Sequence, residues 1–511
     1  EPLCTYRIAN FKTASADKDA GAAFLKYKDF KPYVDYFNSM EDENIAQAIP
    51  NARASQWMEE NIPLFECSQK NFEEMYYYRW WTLRKHIKET PVGYGMTEFL
   101  VNRSYADKYN LIACAIGHHI YESRWLRNPE YLNQIIHTWY RGNEGGPMAK
   151  MTKFSSWNAD AVLGRYMVDG NKEFLLDMVK DLEAEYARWE KTNRLSNGLY
   201  WQGDVQDGME ESISGGRRKQ YARPTINSYM YGNAKALSLI GIMTGDEGMA
   251  MKYGLKADSI KTLVQDKLWN TDHHFFETMR GDASAEVREA IGYIPWYFNL
   301  PDASSKYTVA WKEVMDEKGF SAPYGLTTAE RRHPEFRTHG VGKCEWDGAI
   351  WPFASAQTLT AMANFMNNYP QTVLTDSVYF HQMERYVESQ HHRGRPYIGE
   401  YLDEVTGYWL KGDQERSRYY NHSTFNDLMI TGLIGLRPRM DNTVEVNPLI
   451  PEGKWDYFCL DNVLYHGRNL TILWDKDGSR YQRGKGLHIY VDGKEVGHSD
   501  TLTRVLCENV L

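Results

Sequence analysis

Four carboxylates stand within eight positions of one Gly-rich stretch. Asp204, Asp207, Glu210 and Glu211 lie beside Trp201 in Gly198-Leu-Tyr-Trp-Gln-Gly-Asp-Val-Gln-Asp-Gly-Met-Glu-Glu-Ser-Ile-Ser-Gly-Gly216. Carboxylates crowded together raise one another's pKa, which is how a carboxylic acid stays protonated near neutral pH. Read in isolation, such a loop is equally a solvated acidic turn or a cation site. The helix that follows, Arg223-Pro-Thr-Ile-Asn-Ser-Tyr-Met-Tyr231, argues for more, because its polar start, with Arg223 and Asn227, projects onto the same place.

Two further clusters lie far along the chain. In Cys344-Glu-Trp-Asp-Gly-Ala-Ile-Trp-Pro-Phe353, Trp346 and Trp351 are five apart with Asp347 and Gly348 between, a poor helix interior and a good wall for a saccharide. Buried structural Trp is the plainer alternative. In Ile398-Gly-Glu-Tyr-Leu-Asp-Glu-Val-Thr-Gly-Tyr-Trp409, followed by Arg418-Tyr-Tyr-Asn-His-Ser423, a single Glu400 is accompanied by Tyr401, Trp409 and His422. A lone Glu matters only if it faces the first cluster. Two carboxyls from distant segments, flanked by aromatic walls, are what glycoside hydrolysis needs: one protonates the leaving oxygen, and the other activates water or attacks directly. The catalytic candidates are therefore Glu210, Asp207 and Glu400, and the substrate-facing ones Trp201, Arg223, Asn227, Trp346, Asp347, Trp351, Tyr401, Trp409 and His422. No metal-ligand spacing, phosphate loop or Ser nucleophile elbow competes, so neither metal nor cofactor is expected. His118-His119 and His391-His392 are adjacent pairs, which diverge in both helix and strand and make weak metal sites.

The elements that must carry these loops are mostly helical. Between residues 60 and 438 apolar stripes recur at the 3.6-residue period, as in Phe174, Leu175, Met178, Val179, Leu182, Tyr186 and Trp189. Others are Ala257, Ile260, Leu263, Val264 and Leu268; Leu359, Met362, Ala363, Phe365 and Met366; and Ile112, Ile116 and Ile120. Gly170 and Gly245 read as helix stops. Some ten to twelve such segments are expected. Past residue 440 the pattern turns to strands, with Thr443–Asn447, Leu470–Trp474 and Leu487–Val491 set off by the turn signals Asp477-Gly478 and Asp492-Gly493. Residues 1–60 show no clear period and are expected to form an arm laid across the body. The division is thus 1–60, 61–440 and 441–511.

Composition narrows the class. The chain has 511 residues and a formal charge of −9, with 16 Trp, 36 Tyr and 19 Phe. That aromatic content excludes a disordered chain, and the acidic balance leaves no footprint for nucleic acid. A mean hydropathy of −0.62, with no long apolar run, excludes a membrane-spanning helix. The six scattered cysteines form no metal motif; a Cys4–Cys507 bridge is conceivable from their terminal positions alone. A start at Glu1-Pro2 suits a processed protein, so a secreted or periplasmic location is expected.

At the three clusters the chain resembles the six-hairpin glycosidases related to glycoside hydrolase family 63 and trehalase, particularly the mannosylglycerate-hydrolase-like group. Asp207-Gly-Met-Glu-Glu-Ser212 is similar to that family's Ser-Gly-Met-Asp-Asn-Ser, which holds the general acid. Trp346-Asp-Gly-Ala-Ile-Trp-Pro352 is similar to Trp-Arg-Gly-Pro-Ile-Trp, and Glu400-Tyr-Leu-Asp-Glu-Val-Thr-Gly407 to the segment that carries the general base. Gly117–Trp125 and Tyr76–Trp81 resemble earlier strips of the same fold. The resemblance spans residues 70–440. It implies a mainly α, (α/α)6 barrel with a small C-terminal antiparallel β module, and an exo-acting, inverting glycoside hydrolase, with an α-linked sugar as the expected substrate. The acid position is Glu210 in register, with Asp207 as its rival, and Asp347 replaces the family's Arg. Glycosidases of this fold acting on arabinose or rhamnose, an epimerase, a lyase, and an inactive carbohydrate-binding protein are the competing expectations.

Overall fold

The computed structural model describes residues 23–511. Eleven α-helices of eight residues or more lie among them. α1 (Lys31–Ser39) and α2 (Asn51–Asn61) precede a strand, β1 (Leu64–Cys67). Then follow α3 (Lys70–Lys85), α4 (Ile116–Ser123), α5 (Pro129–Arg141), α6 (Asn158–Asp169) and α7 (Lys172–Asn193). Two short strands, β2 (Trp201–Gln202) and β3 (Tyr221–Ala222), lead into α8 (Pro224–Thr244) and α9 (Glu247–Leu263). The last two helices are α10 (Pro352–Asn368) and α11 (Asp376–Ser389).

The apolar stripes become the buried faces. Phe174, Leu175, Met178, Leu182, Tyr186 and Trp189 of α7 all point into the core, behind an N-cap in which Asn171 accepts from the Phe174 amide at 3.0 Å. The stripe ending in Val264 and Leu268 runs past α9 as a single π-helical turn. Gly170 and Gly245 close α6 and α8 in the left-handed conformation, with φ of 66° and 72°, where a Cβ would be strained. α3 buries both sides: Tyr76, Tyr77, Tyr78, Trp80 and Trp81 are all shielded from solvent. Its Arg79 donates to Gln390 Oε1 at 2.8 Å and to Ser423 Oγ at 2.9 Å, tying α3 to the segment that holds His422.

Residues 23–60 are more regular than expected. Ala54, Trp57, Met58 and Asn61 form the buried stripe of α2 at helical spacing, and Phe37 of α1 meets Tyr78 and Trp81 with ring centroids 5.3 and 5.8 Å apart. The period was present but short.

Beyond residue 440 the expected antiparallel module appears. β4 (Tyr457–Tyr465), β5 (Arg468–Asp475), β6 (Gly486–Val491) and β7 (Lys494–Ser499) form a meander. β1 joins it, so the sheet order is β1-β4-β5-β6-β7, with Leu64 opposite Asp461 and Cys67 opposite Phe458. Asp492-Gly493 turns between β6 and β7 with φ of 48° and 77°, and His466-Gly467 repeats that turn between β4 and β5. Positive φ at both central residues matches the twist of the flanking strands. Among the described residues no helix is long and apolar enough to cross a membrane. Cys4 lies outside the described residues, and so does any pairing it makes.

Candidate active site

β2 and β3 pair antiparallel, Trp201 opposite Ala222, and the excursion between them carries the acidic loop. Asp204 opens a one-turn 3-10 helix by accepting from the Val205 amide at 2.8 Å. Asp207 points inward. Arg223 Nε and Thr225 Oγ1 donate to its Oδ2 at 2.7 and 2.6 Å, and Ser155 Oγ donates to its Oδ1. Both members of the Asp207–Arg223 pair are wholly shielded from solvent. Arg223 Nη1 also reaches Ser212 and Ser214 at 3.4 and 3.3 Å, so one ion pair staples both legs of the loop. Gly208 (φ 70°) then reverses the chain against Cys114. Met209 is buried, and Glu210 is left half-buried at the tip. Among the described residues no cation pairs with Glu210; Arg217 and Lys343 approach its neighbour Glu211 instead, at 3.9 and 3.7 Å.

The second and third clusters meet through Leu402, whose amide donates to the Ile350 carbonyl at 3.0 Å while its carbonyl accepts at 3.1 Å. This pairing places Trp351 between Trp346 and Tyr401 in a three-ring stack, with centroids 4.6 Å apart at each step and planes within about 20°. Such stacks add about 0.5–1.5 kcal/mol per pair beyond burial. Glu400, the residue before Tyr401, is 3% exposed. Arg416 Nη2 lies 3.0 Å from its Oε1 and Lys411 Nζ 3.4 Å from its Oε2. Neither cation was apparent as a site residue in the sequence, where both are ordinary loop residues.

Glu210 and Glu400 lie near enough for the charge of one to act on the other. Burial first, then Asp204 and Glu400, push the Glu210 carboxyl up to about 7, while its own backbone and Arg217 pull the other way. A third carboxyl, Glu98, is buried close enough to feel the charges of both and went unnoticed in the sequence; Met96-Thr-Glu-Phe99 carries no motif. Buried polar groups here without a well-formed hydrogen bond include Glu400 Oε1, which has only the ion-pair contact to Arg416, Arg416 Nε, Trp346 Nε1, and the His422 ring at both nitrogens. Burial holds the His422 imidazole neutral, its pKa far below the ordinary value. A buried polar group left unpaired costs about 1–3 kcal/mol, so sugar hydroxyls are well suited to this place.

The other candidates are placed differently. Asn227 accepts from the Tyr200 amide and donates to the Tyr200 and Arg223 carbonyls, each at 2.8 Å, holding the approach to β2. Asp347 accepts from the His339 and Gly340 amides at 2.6 and 2.9 Å, closing a loop. Trp409 is buried with its Nε1 donating to the Ser389 and His391 carbonyls at 3.0 Å, and Tyr401 donates its hydroxyl to the Lys343 carbonyl. Trp201 is half-buried on β2. His118 and His119 bond across to the Phe353 and Asn421 carbonyls at 3.1 and 2.7 Å, and burial holds them down at about 3 and about 4, so they stay neutral. Away from this pocket, His273, Glu277 and Glu286 bring ligand atoms within 4.8 Å of one another, though Glu277 already accepts from Asn270 and Ser284. A separate cavity of about 610 Å³ is lined by Tyr121, Arg124, Asp160 and Asp427 among others and contains neither Glu210 nor Glu400. Its Arg124–Asp427 pair, 2.8 Å apart, is internally satisfied.

Known proteins resemble the chain in both parts. The model of the mannosylglycerate hydrolase MGH1-like glycoside hydrolase domain matches residues 108–423, and that of the glycosyl hydrolase family 65 C-terminal domain matches 436–498. A solved structure named sialidase is 82% identical, with a TM-score of 0.96 over 98% of this chain; the chain spans 46% of its length. The GH63 mannosylglycerate hydrolase from Thermus thermophilus, solved with glucose, shares 12% identity at a TM-score of 0.52, over 70% of this chain and 99% of that one. The GH78 family rhamnosidase of a Bacillus species shares 11% at 0.53, over 81% and 40%. These last two are alike in fold alone.

Proposed function

This chain belongs to the mannosylglycerate hydrolase MGH1-like glycoside hydrolase family, and on that premise we propose that it is an exo-acting, inverting glycoside hydrolase, with Glu210 as general acid and Glu400 as general base. The observation that carries the assignment is the contrast between two neighbouring carboxyls. Among the described residues Glu210 forms no ion pair and burial lifts its carboxyl to about 7, while Glu400 lies between Arg416 and Lys411. An acid that holds its proton and a carboxylate compensated by positive charge are the two states that protonation of a leaving oxygen and activation of water require. Asp207, sealed against Arg223, serves to hold the loop.

The Trp346–Trp351–Tyr401 stack is buried, with both faces of Trp351 covered, and serves to hold the site's shape, while sugar hydroxyls meet the unpaired polar edge of Trp346 and His422, with Trp201 at the mouth. We assign Arg223, Asn227, Asp347 and Trp409 to building the walls. The helices from α3 to α11 form the (α/α)6 barrel, residues 441–511 the β module and residues 1–60 the arm; likeness to the Thermus hydrolase supports this arrangement. The substrate is an oligo- or polysaccharide end, with an α-glucose-like or α-mannose-like residue ahead of arabinose and rhamnose, and action outside the cytoplasm goes with it.

The test is hydrolysis of a panel of nitrophenyl glycosides and oligosaccharides, with NMR of the first-formed anomer. The first product carries the opposite anomeric configuration to the substrate; the same configuration overturns inversion. Glu400→Gln abolishes turnover while far-UV circular dichroism is unchanged; full activity in that variant removes Glu400 from the site.

A further inference from the structure

Glu98 links the loop of Glu210 to the segment beside Glu400. Its Oε1 accepts from the Cys114 thiol at 3.0 Å, and Cys114 packs against Gly208, two residues before Glu210. On the other side, the Glu98 carbonyl accepts from the Asn421 amide at 2.9 Å, and Asn421 Nδ2 donates to the Thr97 carbonyl at 3.0 Å. That pins residues 97–98 beside Tyr420 and His422, whose rings touch at 3.8 Å between centroids. Tyr420 in turn lies on Phe99, 4.3 Å away. One residue thus touches the acid loop through a thiol and the base segment through its backbone.

Its surroundings lack positive charge. Glu98 is 2% exposed, and among the described residues it forms no ion pair. The groups facing it are Glu210, Glu400, Cys114, Tyr420 and Tyr105. The nearest cation of its own loop, Arg103, is spent over the rings of Phe99 and Tyr105, 5.4 and 5.5 Å from their centroids. Burial, helped by Glu400 and Glu210 against the Cys114 and Tyr420 hydrogen bonds, lifts its carboxyl to about 8. Of these three neighbouring carboxyls, only Glu400 has ion-pair partners among the described residues, and a buried carboxyl without one favours its neutral form.

Building on the hydrolase reading above, we infer that Glu98 is a positioning residue that works as a neutral carboxylic acid, bridging the loop of Glu210 to the segment of Asn421 beside Glu400 without adding a negative charge between them. Glu98 lies outside the span 108–423 that matches the family. If it ionised, its charge would stand against both Glu210 and Glu400, and the acid–base pair would lose its asymmetry.

A Gln side chain reproduces a neutral carboxyl in shape and hydrogen bonding but cannot ionise. With the nitrophenyl glycoside hydrolysed fastest in the panel, Glu98→Gln keeps kcat/KM within about threefold at pH 6, whereas Glu98→Ala loses about 30-fold or more, mostly in kcat. The wild-type alkaline limb steepens towards a two-proton slope above pH 8, and Glu98→Gln keeps a one-proton slope. The infrared difference spectrum, wild type minus Glu98→Gln at pH 7, shows a protonated-carboxyl stretch, a readout that needs no turnover and survives if Glu98→Ala does not fold. Superposable pH profiles, absence of that stretch, or a Glu98→Gln variant as impaired as Glu98→Ala each overturns the inference. Retained activity in Glu210→Gln and Glu400→Gln would instead remove the acid and base assignments, and no hydrolysis anywhere in the panel would remove the hydrolase reading itself, so these failures are distinct from that of the inference.

Discussion

Replacing Glu210 by Gln separates chemistry from stability in one variant. Burial, Asp204 and Glu400 hold the folded carboxyl up at about 7 against an ordinary 4.5. Below pH 4.5 the proton is bound in both folded and unfolded chains, and Glu210 has no effect on stability. Between 4.5 and 7 the unfolded chain releases its proton while the folded one keeps it, so stability falls with rising pH; above 7 the loss levels off. The difference amounts to about 3 kcal/mol at most at pH 8. Gln cannot ionise, so Glu210→Gln removes that loss and unfolds, at pH 8, roughly 3 °C or less above the wild type, given an unfolding entropy of about 2.1 cal/mol/K per residue over the chain. At pH 4 the two melt together. Activity moves the other way. Loss of a general acid costs about 10²–10⁴-fold on a glycoside with an alkyl leaving group, and far less on a dinitrophenyl glycoside, whose leaving group needs no proton. Differential scanning calorimetry at pH 4, 6 and 8, with kcat/KM for both leaving groups, reads all of this. A variant less stable than wild type at pH 8, or one that still cleaves the alkyl glycoside at full rate, refutes the reasoning.

Other predictions follow from the same geometry. Asp207→Asn leaves the sealed Arg223 guanidinium without its counter-charge and costs about 3–5 kcal/mol, read as a lowered denaturation midpoint; unchanged stability would put Asp207 back among the catalytic candidates. Gly348→Ala places a Cβ at φ 153°, 2.5 Å from Phe336 and 2.7 Å from Arg337, so it strains the loop beside Trp346 and Trp351 by about 1–3 kcal/mol and raises KM. Thermal unfolding with Michaelis kinetics checks both effects, and a variant like wild type in each would show that the loop is free to move.

Much of the helical body was legible because buried helix faces leave a 3.6-residue trace: α7, α9 and α10 stand where their stripes are. α2 was missed because its stripe, Ala54 to Asn61, spans only two turns and is flanked by polar residues. β4 was missed because Tyr457–Tyr465 is buried through Phe458, Cys459, Leu460 and Asp461 without strict alternation. Its turn, His466-Gly467, lacks the Asp-Gly signature that revealed the turn after β6. The aromatic walls divided in a way that spacing cannot show. Trp351 and Trp409 are equally embedded in acidic, Gly-containing segments and both are buried with the indole N–H on backbone carbonyls, but only Trp351 is stacked between two rings, Trp346 and Tyr401.

By itself, the sequence determined the class of element along most of the chain, the family, and the segments that meet at the site, since these rest on local periodicity and on short runs of residues whose chemistry is independent of distance. Which carboxyl is paired and which is left without an ion pair was decided only in three dimensions. Asp207 and Glu210 are three positions apart and chemically alike; one meets Arg223, Thr225 and Ser155, while the other forms no ion pair among the described residues. Glu98 stands alone in the sequence and becomes a member of the site through Cys114 and Asn421. A carboxyl's protonation depends on burial and on charges a few ångströms away, and those neighbours come from segments that only the folded chain brings together.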